Sequence, residues 1–137
     1  MLNAKNQFIN DMKPEAEAYL YNLAAAAPAF SASCADALMS GYADAAEKAV
    51  KEMTMIACQK YPEAFCQYVV MRSCELFLLD KSSNIIAGGK LNADGQTALA
   101  IYEAVLKAIA SDPKKPAGIH NETRLSFVKS ELSKRMK

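Results

Sequence analysis

A chain of 137 residues, 52% hydrophobic and 23% charged, carries enough apolar material to close one globular core and hardly two, so a single domain is expected. The formal net charge is +1, and the opening MLNAKNQF carries a charge and no apolar run. That opening does not have the form of a secretory signal, and a cytoplasmic location is the resulting expectation.

The first segment, Asn3–Asn10, precedes Asp11 and Pro14, a pairing that suits the cap and first turn of a helix. From there Ala16, Tyr19, Leu20, Leu23 and Ala27 make an apolar stripe that Pro28 ends. Ser33 with Asp36 three residues on resembles a capping box, and predicts one long helix from about Cys34 to Lys60. Its buried stripe is expected to be Leu38, Tyr42, Ala45, Ala49, Met53 and Ile56. Its wet face should pair Asp44 with Lys48 and Glu47 with Lys51.

Tyr61-Pro62 breaks that helix and opens another over 62–79, PEAFCQYVVMRSCELFLL, which is apolar on almost every side. At 3.6 residues per turn, Phe65, Val69, Leu76 and Leu79 share one side and Cys66, Val70, Cys74 and Phe77 the next. Only a thin line of Glu63, Gln67, Met71 and Glu75 is left between them. Such a helix needs partners on at least two faces and should be the buried centre of the protein. Arg72 and Glu75 in its middle, with Gln67 beside them, argue against a membrane span.

DKSSNIIAGGKLNADG, covering the loop 80–94, is the one stretch dense in Gly, Asn and Ser, and a two-stranded turn of Asn84–Ile86 against Lys90–Leu91 fits around Gly88-Gly89. A helix from about Gly95 to Ala110 follows, with Ala98, Ile101, Tyr102, Val105 and Ile109 inside and Glu103 and Lys107 outside. SDPKKPAGIH reads as a stiff connector. Asn121 then caps a last helix striped by Leu125, Val128, Leu132 and Met136. The expected fold is all-α: a compact single-domain bundle of about five helices around the central 62–79 helix.

Metal and phosphate motifs fail on their spacing. Asp80, Ser82 and Asn84 imitate a calcium loop, but Ile85 stands where the sharp-turn glycine is required and Leu91 where the bidentate glutamate is. Gly88-Gly89-Lys90 imitates a phosphate loop, but its first glycine would fall on Asn84 and its hydroxyl on Leu91. The four cysteines, Cys34, Cys58, Cys66 and Cys74, include no CxxC pair, and His120 is the single histidine. Cys66 and Cys74 would lie ~12 Å apart along one helix, beyond the roughly 7 Å a bridge allows, so buried free thiols are expected. No cofactor and no metal are expected.

Catalysis needs a convergent set of groups, and none stands out. His120 lies in the proline-bearing connector, where a histidine is more often solvated than catalytic. Arg72 and Glu75, three apart on the most apolar helix, form the one polar pair in an unexpected place. Buried ions must be paired, so this spacing reads as a structural ion pair.

Charge is unevenly spread. Residues 114–137 hold seven Lys or Arg against Glu122 and Glu131, a surplus of five, whereas the rest holds nine against thirteen, a deficit of four. On the last helix Arg124, Phe127, Glu131, Lys134 and Arg135 lie away from the Leu125 stripe, placing an aromatic ring among cations. Arg124, Phe127, Lys134 and Arg135 are therefore the candidate partner-binding residues. The competing reading packs Phe127 on a neighbouring helix and leaves the cations to the helix dipole. The function expected is a non-enzymatic interaction protein, an adaptor or inhibitor that binds another protein through a helical face or the 80–94 loop. The alternatives are a nucleic-acid contact through the basic last helix, or a pocket within the bundle for a small molecule. No membrane association is expected.

Overall fold

The central helix behaves as its composition demands. In a computed structural model, which describes residues 3–25, 27, 30–112 and 121–137, every position from Ala64 to Met71 is buried. More than two full turns so enclosed require cover on all sides, and the other helices supply it. In chain order these are α1 (Ala4–Ala24), α2 (Ala32–Met39), α3 (Tyr42–Met53), α4 (Met55–Lys60) and, beyond the central α5 (Pro62–Asp80) and a short α6 (Ser82–Ile85), α7 (Ala93–Ser111) and α8 (Asn121–Arg135). The described residues are all-α apart from one two-stranded turn, with eight helices where about five were expected. They share one hydrophobic core. Among them no helix is long and apolar enough to cross a membrane.

The extra helices come from backbone breaks that the apolar stripe conceals. The expected Cys34–Lys60 helix is three helices, interrupted at Ser40-Gly41 and at Thr54. The first piece is capped by Ser31, whose hydroxyl accepts from Cys34 N at 3.1 Å, two residues before the expected Ser33. Leu38, Tyr42, Ala45, Ala49 and Met53 are buried as the stripe requires. Ile56 is instead 78% exposed, because the break at Thr54 turns the following helix out of register. The wet face also pairs differently: Lys48 reaches Glu52 at 3.6 Å, and Glu47 meets Lys5 of α1 at 2.9 Å.

Thr54 holds φ 76° and ψ 152°, a region that only glycine adopts without strain. Its hydroxyl caps α4 by accepting from Ala57 N at 3.2 Å. The strain costs about 1–3 kcal/mol, whereas glycine at a cap loses only a few tenths. Thr54→Gly is therefore expected to raise the melting temperature by roughly 3 °C. A fall of similar size in a thermal melt would show that the hydroxyl cap outweighs the strain.

At the amino end, one helix runs through Pro14 where a start at Asp11 was expected. Asn3 is the actual cap, its side chain accepting from Asn6 N at 2.8 Å. Pro14 lacks the N–H that Asn10 C=O would accept, but both residues are exposed, so water can satisfy that carbonyl. The end of the stripe at Pro28 lies outside the described residues, as do residues 113–120 of the 111–120 connector, His120 among them; its first residue, Ser111, ends α7.

The loop after α5 is more ordered than its composition implies. Helix α6 leads into β1 (Ile86–Ala87), which pairs antiparallel with β2 (Lys90–Leu91) in the register Ile86 to Leu91 and Ala87 to Lys90. Gly88 and Gly89, at φ 60° and 76°, supply the two left-handed positions of the tight hairpin turn. Asn92 then caps α7, accepting from Gly95 N at 2.9 Å.

Candidate functional site

Of the thin line on α5, Glu63 alone is exposed. Gln67, Met71 and Glu75 are buried, and partial exposure falls on Arg72, Leu76 and Leu79. The cause is a polar network that covers Glu75. Arg124 of α8 grips it with a two-pronged contact, Nε to Oε2 at 2.8 Å and Nη2 to Oε1 at 3.0 Å. Arg72 donates Nη1 to Oε1 at 3.0 Å, and the Tyr102 hydroxyl of α7 donates to Oε2 at 2.6 Å. Four donors converge on one carboxylate whose side chain is only 6% exposed.

The network extends further. The Arg124 guanidinium lies over the Tyr68 ring, 5.8 Å from its centre, and the Tyr68 hydroxyl donates to Glu52 of α3. One chain of polar contacts thus ties α3, α5, α7 and α8 together.

Electrostatics follow from this geometry. Burial alone would raise the Glu75 carboxyl, but the hydrogen bonds from Arg124 and Tyr102 and the charge of Arg124 outweigh it and hold the group below its ordinary value. Glu75 is therefore ionised at neutral pH and saturated with donors, which makes it a poor general base. Burial pushes the Tyr102 hydroxyl up, and its hydrogen bond to Glu75 adds to the effect. The cysteines are all free and buried, and loss of solvent raises Cys34 and Cys58 to about 11, Cys66 to about 12 and Cys74 further still. Such thiols are protonated near neutrality and are not activated nucleophiles. Among the described residues no group of three or more His, Cys, Asp or Glu is placed to hold a metal ion.

Outside the clamp lies a recess of about 360 Å³ between α5 and α8, lined by Arg72, Glu75, Leu79, Thr123, Arg124, Phe127 and Val128. Phe127 is 49% exposed, while Val128 and Leu132 beside it enter the core and Leu125 and Met136 are half-buried. The four candidate contact residues do not form one patch. Arg124 is turned inward onto Glu75, with 23% of its side chain exposed. Phe127 stands on the recess, and Lys134 and Arg135 lie ~10 Å further along the helix. These last two share Glu131, at 3.0 and 3.6 Å. Arg72 and Leu79, which no spacing in the chain groups with Phe127, complete the recess. Arg124 and Glu75 are 49 residues apart in the chain, and no local spacing could have paired them.

The fold and site define an all-α protein with a carboxylate clamp beneath an aromatic- and guanidinium-lined recess. No protein-family model, curated protein or solved structure matches the chain.

Proposed function

We propose that this chain is a non-enzymatic interaction protein, and that the α5–α8 recess receives a segment of another protein that pairs an apolar side chain with a flanking carboxylate. The observation that carries this reading is the half-exposed Phe127 ring, set beside Leu79 and two guanidinium groups. An exposed aromatic next to arginine is the composition of an interface anchor. The two guanidiniums face one carboxylate, which leaves one positive charge at the recess. Each guanidinium has five N–H donors and commits only one (Arg72) or two (Arg124) of them to Glu75. An acidic residue of the partner would complement what remains. An adaptor or an inhibitor would both use such a surface.

A nucleic acid on the same helix has less support, because the cations of α8 already meet carboxylates. Lys129 reaches Glu103 at 3.4 Å, and Lys134 and Arg135 share Glu131.

The test replaces Phe127 with a photo-cross-linking phenylalanine analogue in cells, identifies what it captures, and measures that complex by calorimetry. Phe127→Ala is expected to weaken binding about thirtyfold (~2 kcal/mol) while changing stability by less than about 1 kcal/mol. Reversing Lys134 and Arg135 to Glu should weaken it by only a few-fold. Affinity should fall by only a few-fold between low and moderate salt. A loss of ~1,000-fold over that range would mark a phosphate-dominated contact and overturn the protein reading. Collapse of the fold on Phe127→Ala would assign the ring to the core.

A further inference from the structure

A second recess lies on the other side of the bundle, where the Ser40-Gly41 break between α2 and α3 faces the carboxyl-terminal half of α5. Its volume is about 380 Å³, near the lower end of the roughly 300–1,000 Å³ typical of small-molecule sites. Leu38, Leu76 and Phe77 give it apolar walls, and Gly41 leaves it open at the break.

One group there has no internal partner, and the charges there do not balance. Ser73 lines the recess, is only 2% exposed, and its hydroxyl has no hydrogen-bond partner among the described residues. A buried hydroxyl left unmet costs about 1–3 kcal/mol, so a ligand atom that met it would recover that energy. Asp44 and Asp80 line the same recess, and neither has an ion pair among the described residues. The natural partner of Asp44 on its own helix, Lys48, is turned to Glu52. With Lys81 at the same recess, Asp44 and Asp80 leave it a net charge of −1, which one monocation would neutralise.

The geometry points to a binding site for a small organic monocation: an amine whose ammonium lies between Asp44 and Asp80, whose apolar body rests on Leu38, Leu76 and Phe77, and whose hydroxyl or ether oxygen meets Ser73. Lys81 at the same recess disfavours a second positive charge on the ligand. An inorganic cation would find two carboxylates and the hydroxyls of Ser73 and Ser40, the latter already donating to Ala37 C=O at 2.6 Å, beside apolar walls, too few oxygens for a hard ion. This site is separate from the α5–α8 recess and does not depend on the function proposed there.

The probes are phenylethanolamine, phenethylamine, butylamine and the anionic phenylpropionate, each titrated into the full chain and followed by amide NMR shifts. Saturable binding of the amines is expected, with shifts centred on Ser40, Gly41, Ser73 and Lys81, and none with phenylpropionate. Asp44→Asn and Asp80→Asn should each weaken the amines about tenfold. Phenylethanolamine should bind several-fold tighter than phenethylamine, and Ser73→Ala should abolish that difference. The same substitution should leave the melting temperature of the free protein unchanged or higher, since it removes an unmet hydroxyl. The proposal is overturned if no amine saturates, if phenylpropionate binds as well as the amines, or if the shifts map elsewhere. It is equally overturned if Ser73→Ala lowers the melting temperature and leaves the two phenyl amines discriminated as before.

Discussion

Val69→Asp is expected to leave the chain without a cooperative thermal transition. Val69 has no exposure at all and sits inside the fully buried run of α5, with residues on either side of it in the chain equally enclosed. An aspartate there has two unfavourable choices. Kept ionised, it is an unpaired buried charge. Protonated, it is a buried carboxyl with no assigned partner, in a site that has also lost the packing of two methyl groups. Either choice costs several kcal/mol, against a total stability of about 5–15 kcal/mol for an ordinary domain. Circular dichroism and calorimetry would read the result. A melting temperature within a few degrees of the parent would mean that α5 is not the centre of the fold.

Glu75→Gln should have the next largest effect. The substitution preserves shape but leaves Arg124 and Arg72 without a counter-charge, and removing one partner of a buried ion cluster costs roughly 3–5 kcal/mol. The lower end applies, because the two arginine side chains keep 23% and 29% exposure and are partly screened by water. A fall of about 10 °C in melting temperature is expected for a domain of this size. Replacing Glu75 with Leu and both Arg72 and Arg124 with Met should cost less than Glu75→Gln alone, since no charge is then left facing a vacated partner.

The clamp also sets an acid limit. The Glu75 carboxyl is held below its ordinary value of 4.5, so the folded state releases this proton more readily than the unfolded chain. The stability it contributes is fully present above about pH 4.5 and is lost as pH falls through the lower, folded-state value. Glu75→Gln should remove this component of the acid destabilisation and leave the remainder. An acid-unfolding curve with the same slope in both proteins would show that Glu75 does not carry it.

How far the fold is legible from residues depends on the range of the interaction concerned. The central position of α5 is legible because apolar side chains on every side of one helix leave it no other place. The inside of α7 and the glycine hairpin are legible because a 3.6-residue period and two left-handed positions are local properties. The breaks at Ser40-Gly41 and Thr54 are not. The apolar stripe runs through both, and a threonine in a strained conformation carries no turn signature. Ile56 shows the consequence: it has the right spacing for the core and stands in solvent. Pro14 misleads in the opposite direction, since an exposed turn tolerates the missing hydrogen bond that a buried one would not.

The candidate sites divide along the same line. That Arg72 and Glu75 can pair follows from their spacing of three on a helix, and that Phe127 departs from its helix's stripe follows from periodicity. The sequence alone thus determines an all-α chain with a buried central helix, an ion pair within it and an aromatic ring off the core stripe of a basic last helix. Only the tertiary structure decides that Arg124 turns inward to close on Glu75, that Tyr102 and Tyr68 join them, and that Asp44, Ser73 and Asp80 line one recess. Helical patterning records which residues within about one turn share a face. The rotation and stacking of whole helices against one another, which bring a guanidinium to a carboxylate 49 residues away, arise from the packing of all the faces at once.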